Sequence, residues 1–338
     1  MTAALHYRVL IIDECSIVSN ASLLEVLRKT SFDLLVLVGD VYQIEAIEFG
    51  NWFGLIKSYL SPDSVFELKT PYRTSDEELL LLWNRVRLLD DKIEESLSRN
   101  QYSAVLGDEL FERESDDEIV LCLNYDGIYG INNINRFLQA GNPNQPVRWG
   151  DGVYKVGDPV LFNEAEGFRP VIFNNLKGTI RRIETARDQI TFDIELARDF
   201  DPTDLDMTDL RHVEGTTVQF DVSPRQTSDD DDETSRNLVP FQIGYAVSIH
   251  KAQGLEYDTV KIVITDANET RITHSVFYTA ITRARRKLSI FWTPDTQQRV
   301  LSQMGVRESP TDRSLLKARR GIATVQKVPL RSHRREKP

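Results

Sequence analysis

The sequence predicts an α/β protein built on parallel sheets, with an all-β insertion in its second half. Two apolar runs, Val9–Ile12 and Leu34–Val38, end in the acid-bearing corners Asp13-Glu14 and Gly39-Asp40. Between them Leu23, Leu24, Val26 and Leu27 recur at helical spacing, which makes a strand–helix–strand unit. From about 146 to 222 the texture changes to short strands separated by turn residues, after which α/β texture returns.

Each element follows from its local pattern. Continuous apolar runs bounded by polar residues suit strands buried on both faces. Ser75-Asp76-Glu77-Glu78 reads as a capping box with Ser75 as the cap, opening a helix that runs toward Leu89. Glu118–Leu123 reads as a strand and Gly127–Leu138 as a helix. Short strands are expected at 153–156, 158–162, 178–183, 190–196 and 216–222, together forming a small barrel. The acidic run Asp229–Glu233 reads as a solvated loop closing that insertion. Beyond it, Val247–Gln253 is expected to be helical, Thr259–Ile264 and Leu288–Trp292 extended, and Ser275–Ala284 helical. Arg331, Arg334, Arg335 and Lys337 mark a basic, flexible tail.

Composition narrows the function classes. A chain of 338 residues is long enough for two or three domains, and 41% apolar residues suffice for a core. It contains no uninterrupted apolar run of about 18 residues, so no membrane span is expected. The first residues do not read as a signal peptide, and a reduced cytoplasmic setting is expected. Cys15 and Cys122 are too few for a disulfide framework and lie in or beside apolar runs, as buried structural thiols do. The five histidines are scattered and lack cysteines at zinc-ligand spacing. A net charge of −11 weighs against a uniformly basic nucleic-acid binder but leaves room for a local basic groove.

The strand-end acids carry the chemistry. In open α/β sheets ligands bind at the carboxyl ends of strands. Asp13 there can hold Mg²⁺ beside nucleotide phosphates, and Glu14 can polarise a water for attack. Alone this signal is weak, because many buried strands end in an acid. The second corner strengthens it: Gly39-Asp40 is followed three positions on by Gln43, whose amide can reach a phosphate.

Five segments, in order, resemble the conserved boxes of superfamily 1 helicases. Ile11-Ile12-Asp13-Glu14-Cys15-Ser16 looks like motif II, the Walker B box. Gly39-Asp40 with Gln43 is similar to motif III, and Pro71-Tyr72-Arg73-Thr74 to motif IV. The run Val247–Glu256 resembles motif V, and Tyr278–Ala284 resembles motif VI. Details of motif V, with the Gly157-Asp158-Pro159-Val160 and Asn174–Gly178 segments of the insertion, favour the RecD-like branch.

The resemblance implies ATP and Mg²⁺ as cofactors and single-stranded or partly duplex DNA as partner. Asp13 would hold the metal, Glu14 would be the catalytic base and Gln43 the γ-phosphate sensor, with Gly39 and Asp40 beside the nucleotide. Arg73 and Arg283 would point at the γ-phosphate, where guanidinium charge meets charge developing on the transferring group. Gly254 and Glu256 would approach the nucleotide, the acid near the ribose. Ser248, His250, Lys251 and Asn124 would face the strand; Leu121-Cys122-Leu123 before Asn124 departs from the threonine-rich run usual there. Tyr278 reads as a packing residue, and nothing in the sequence separates Trp52, Phe53 and Trp149 from core aromatics.

The same resemblance implies a domain plan. Residues 1–70 would be a truncated first RecA-like domain, 71–145 with 240–305 a second, 146–239 an inserted SH3-like β barrel, and 306–338 the tail. No G-x-x-x-x-G-K-[ST] phosphate loop occurs; Lys177-Gly178 is reversed. The chain therefore reads as the C-terminal portion of a motor that requires a P-loop segment in cis or in trans, inactive alone. Two other readings stay open: a non-catalytic remnant that binds nucleic acid or a partner, and an RNA helicase of viral type.

Overall fold

The computed structural model describes residues 5–45, 52–57, 59–68, 70–163, 167–223 and 239–305. The acidic run at 229–233 and the basic tail at 306–338 lie outside the described residues. The chain forms two compact units, one comprising Met1–Ile93 with Thr273–Thr279, the other Glu94–Ile272 with Ala280–Ser302.

In the first unit β1 (Leu5–Ile12) and β2 (Thr30–Leu37) pair in parallel, Leu5 beside Thr30 through Ile12 beside Leu37. The crossover helix α1 (Asn20–Lys29) is capped by Ser19, whose hydroxyl accepts from the Ser22 amide at 3.2 Å. Strand alternation puts Leu5, Tyr7, Val9 and Ile11 on one face with Phe32, Leu34 and Val36. That face is open: Leu5 is 62%, Ile11 63% and Leu34 54% exposed, so the expectation of strands buried on both faces fails here. An apolar run reports that both faces can be buried, not that a second layer covers them.

After β2 come the short helices α2 (Trp52–Ile56) and α3 (Glu77–Leu88). The cap of α3 is Asp76 rather than the expected Ser75. Its Oδ1 accepts from the Glu78 and Leu79 amides at 2.9 and 3.0 Å, while Thr74 Oγ1 accepts from the Asp76 amide. A carboxylate at a helix N-terminus also meets the helix dipole, which a serine hydroxyl does not. Leu79, Leu82, Trp83 and Val86 form the buried stripe, and Leu89 ends the helix in the left-handed region.

The second unit starts along α4 (Ile93–Arg99) and holds a five-stranded, all-parallel sheet. Its strands are β3 (Ser103–Ala104), β4 (Glu118–Cys122), β13 (Ala246–Ser248), β14 (Tyr257–Val263) and β15 (Ala284–Phe291), in the order β13-β4-β14-β15-β3. Helices α5 (Ile131–Ala140) and α7 (Pro294–Gln303) follow in this unit, while most of α6 (His274–Ile281) belongs to the first unit. The expected helix at 127–138 starts later: Gly127 turns at φ +99°, and at the cap Gly130 a Cβ would stand 2.5 Å from the Asp126 carbonyl. The expected helix at 247–253 is instead β13 followed by turns. Ala246-Val247-Ser248 pairs with Val120–Cys122, and a short buried apolar run is ambiguous between helix and strand.

The insertion contains the hairpin β5 (Val147–Trp149) and β6 (Gly152–Tyr154) and a six-stranded antiparallel sheet. That sheet orders β10 (Arg211–Glu214), β11 (Thr217–Val222), β9 (Gln189–Leu196), β8 (Lys177–Ala186), β7 (Pro159–Phe162) and β12 (Phe241–Ile243). Phe162, Phe192, Phe220 and Phe241 fill its core. Closure into an SH3-like barrel is not among these pairings. At its base the buried Asp158 carboxylate accepts from Asn142 Nδ2 (2.8 Å), the Lys155 amide (2.8 Å), Tyr245 Oη (2.9 Å) and Gln139 Nε2 (2.5 Å). A buried charge persists only with such full satisfaction.

Cys15 and Cys122 are both buried, and desolvation raises both thiol pKa values, that of Cys122 to about 12. Among the described residues no helix is long and apolar enough to cross a membrane.

Candidate functional site

The acid-bearing corners of the first unit lie side by side. The Val38 amide donates to Ile12 O at 2.9 Å and the Cys15 amide to Val38 O at 2.8 Å, so pairing continues past both strand ends. Glu14 turns through the left-handed region (φ 49°), and its amide donates to Asp13 Oδ1 at 2.8 Å. Such a backbone in a non-glycine residue costs about 1–3 kcal/mol and is typical of functional corners. Gly39 is required between the corners: a Cβ would stand 2.8 Å from Phe53 Cε1 and 3.0 Å from the Cys15 nitrogen.

Beyond Gly39, Asp40 Oδ1 accepts from the Tyr42 amide at 3.0 Å, and Gln43 Nε2 lies 3.5 Å from Asp40 Oδ2. Gln43 Oε1 is buried with no hydrogen-bond partner, an acceptor held ready in a corner built from acids. The Ile44 amide donates to Thr279 Oγ1 at 3.0 Å. Tyr278 is buried against Tyr42 and His274, and the Arg87 guanidinium lies 5.2 Å from the Tyr42 ring centre. His274 Nε2 donates to Val86 O at 2.7 Å, which fixes its tautomer. Arg73 is half-buried just before α3, in the same unit as Asp13 and Glu14.

Among the described residues no group of three or more His, Cys, Asp or Glu side chains could hold a metal, so Mg²⁺ here would rest on one or two carboxylates, with water and phosphate completing its shell. Asp13 and Asp40 offer carboxylate oxygens at adjacent strand ends, the hard ligands that this cation takes, and Asp13 is exposed.

In the second unit the segments resembling motifs V and VI are joined directly. Arg283 is fully buried; its Nη1 donates to Leu255 O at 3.0 Å and its Nη2 to Thr282 Oγ1 at 3.1 Å. Gly254 has φ +78°, a conformation that side chains rarely adopt. Glu256 Oε1 lies 3.3 Å from Arg285 Nη1, and Arg285 Nη2 also meets Asp117 (2.6 Å) and Asp258 (2.8 Å). Lys177, at the start of β8, reaches Asp117 Oδ1 at 2.8 Å and the Glu256 carbonyl at 2.9 Å. The sequence reading named Glu256 but missed Arg285, Asp117 and Lys177, which lie far apart in the chain with no spacing rule to join them.

The four residues expected to face nucleic acid divide into two pairs. Ser248 is buried, its hydroxyl accepting from the Lys251 amide at 3.2 Å, while Lys251 Nζ donates to Gln242 Oε1 at 2.6 Å. Asn124 and His250 lie at the carboxyl ends of the adjacent strands β4 and β13, with Arg271, which the sequence reading missed, beside them. Arg271 Nη1 donates to Asn124 Oδ1 at 2.9 Å. His250 keeps an exposed face, and desolvation of the rest of its ring, followed by the Arg271 charge, pushes its pKa down.

Two domain families match the chain: an AAA domain over residues 2–100 and a UvrD-like helicase C-terminal domain over residues 244–291. The RecBCD enzyme subunit RecD of Mycolicibacterium smegmatis is 25% identical over 321 residues, covering 85% of this chain and 50% of that protein. The ATP-dependent RecD2 DNA helicase of Deinococcus radiodurans is 29% identical over 161 residues, 47% of this chain and 18% of that one. The chain thus spans about half the length of the RecD it matches and a smaller share of RecD2. Among solved structures, Bacteroides Pif1 helicase in complex with ADP-AlF3 and ssDNA aligns with a TM-score of 0.54 at 16% identity, covering 93% of this chain and 76% of that one. Candida albicans Pif1 helicase gives 0.52 at 17%, covering 87% and 74%. The structural matches establish a shared RecA-like α/β fold. The ordered motifs, the two domain matches and the RecD relatives make the chain similar to the RecD-like helicases of superfamily 1.

Proposed function

We propose that this chain is the motor portion of an ATP-dependent DNA helicase or translocase, coupling ATP hydrolysis to movement along single-stranded DNA. The observation that carries the reading is the joined pair of strand-end corners, Asp13-Glu14 and Gly39-Asp40, with Gln43 Oε1 lacking a partner beside them. In this reading Glu14 accepts the proton of the attacking water and Gln43 Oε1 orients that water. Asp13 would hold Mg²⁺, which would supply charge neutralisation at the phosphates. Arg73 and Arg283 would supply guanidinium charge to the transferred phosphoryl group when nucleotide is bound. Asp40 anchors the Gln43 loop, and Gly254 and Glu256 bound the nucleotide. Asn124, Ser248, His250 and Lys251 belong to the strand side, Ser248 through its turn rather than by contact. The domain plan with a first RecA-like part at 1–70, a second at 71–145 and 240–305, and an insertion at 146–239 is part of the same proposal.

The phosphate loop would come from a further segment, in cis or in trans, that covers the open apolar face of β1 and β2. The exposed Leu5, Val9, Ile11 and Leu34 support this, as burying such a face is favourable by roughly 25 cal/mol per Å². The test is ATP hydrolysis and strand separation by the chain combined with such a segment. Arg283→Ala should reduce turnover by about 10²-fold or more; full-speed hydrolysis by that variant would remove the assignment. A second reading, a binding module without hydrolysis, draws on the absence of G-x-x-x-x-G-K-[ST] from the sequence. It requires salt-dependent binding to single-stranded DNA and no ATPase in any combination.

A further inference from the structure

We infer that Arg271 is a phosphate-binding residue for single-stranded nucleic acid, aimed by Asn124. The inference rests on the nucleic-acid reading above and adds to it a residue that no motif supplies.

Strands β13, β4 and β14 are neighbours in the parallel sheet, and all three point their carboxyl ends the same way. His250 follows β13, Asn124 follows β4, and Arg271 sits in the loop after β14. In such sheets this edge is where ligands bind. The loop is built to hold a fixed shape. Buried Asn268 accepts from the Thr265 amide through Oδ1 at 2.9 Å, and its backbone carbonyl accepts from the Arg271 amide at 3.0 Å. Glu269, one residue farther, is paired to Arg299 of α7 at 2.7 Å.

These contacts leave the Arg271 charge intact. The acid of its own turn is neutralised by Arg299, and Arg271 itself is held by a neutral amide, Asn124 Oδ1 at 2.9 Å. That bond uses one of five guanidinium N–H donors. Arg271 is exposed, and its positive charge is felt at His250, on the far side of Asn124 in the strand order. Tyr125, next to Asn124, is 47% exposed. A cation fixed in direction, with an exposed aromatic next in sequence to the residue that aims it, supplies the charge and the ring that grip a single strand without reading sequence. A structural arginine at this position would instead be expected to meet a carboxylate.

The experiment is a salt titration of binding to a fluorescein-labelled oligothymidylate by the full chain, read by anisotropy. Arg271→Ala should weaken binding about tenfold at low salt, the order of one charge-assisted contact. It should also flatten the slope of log K against log salt by about 0.7, the value for one phosphate contact on a single strand. Arg271→Lys should keep the slope and lose part of the affinity, because the charge remains without the planar fork. Asn124→Ala should likewise keep the slope while losing affinity, which separates aiming the charge from supplying it. Arg148→Ala, in the β5–β6 hairpin, is the control and should match the unsubstituted chain in both quantities. If Arg271→Ala binds with unchanged slope, the inference is overturned while the nucleic-acid reading stands. If the unsubstituted chain does not bind at low salt, both are overturned.

Discussion

The backbone amide of Ile44 donates to the hydroxyl of Thr279, 235 residues later, at 3.0 Å and with both residues buried. The loop carrying Asp40 and Gln43 is thereby fastened to Thr279 of α6. Thr279→Val removes the acceptor and strands a buried amide, a loss of about 1–3 kcal/mol. The midpoint of urea unfolding should fall accordingly, and Thr279→Ser should restore most of it.

Lys261 and Glu118 form an ion pair at 3.1 Å with both side chains almost fully buried. Lys261 Nζ also donates to the Glu112 carbonyl, and Glu118 Oε2 accepts from the Glu114 amide at 2.9 Å. Removing one partner leaves an uncompensated buried charge, so Lys261→Met or Glu118→Leu alone should destabilise by about 3–5 kcal/mol. The double substitution should recover much of that loss, as measured by denaturant unfolding of all four proteins.

Lys177 of the inserted sheet and Arg285 of the parallel sheet share Asp117. All three side chains are roughly a quarter to a third exposed, so solvent screening limits each pair to about 1 kcal/mol. A double-mutant cycle on Lys177→Met and Asp117→Asn should give a coupling of that order, shrinking as salt rises. Arg285→Ala removes one partner of Glu256 and should give a measurable change in nucleotide affinity.

His250 should titrate below its ordinary pKa of 6.5. Desolvation is the larger cause and the Arg271 charge the smaller, so Arg271→Ala should move the pKa part of the way back up. Because the folded-state pKa is depressed, the unfolded chain binds the proton more readily. The His250 contribution to stability is therefore complete above the unfolded pKa and is lost as pH falls from there through the folded value. NMR titration of the ring C–H resonance checks both the direction and the response to Arg271→Ala.

How much of this was legible in the sequence depends on the range of the interaction. The runs at 9–12, 34–38, 118–123, 259–264 and 288–292 report strands because a parallel sheet needs continuous apolar segments, and β1, β2, β4, β14 and β15 overlap them. Local competition misled: Asp76 outranks Ser75 as cap, and the short run Ala246–Ser248 is a strand because β4 offers it a partner. The solvent exposure of Leu5 and Ile11 depends on layers that the run itself does not encode. Asp13, Glu14, Gly39 and Gln43 lie at the ends of one strand–helix–strand unit, where spacing alone could single them out as candidates. Arg271 and Arg285 were not legible in this way, since Arg271 meets Asn124 and Arg285 meets Asp117 across more than 100 residues of chain.

The central claim is that Glu14 is the base of a nucleotide-hydrolysing corner. Its most direct test is DNA-stimulated ATP turnover by the chain combined with a P-loop segment, comparing Glu14 with Glu14→Gln. The account predicts a fall of about 10²–10⁴-fold in turnover with nucleotide affinity retained. Turnover at the unsubstituted rate in the Glu14→Gln protein would contradict it.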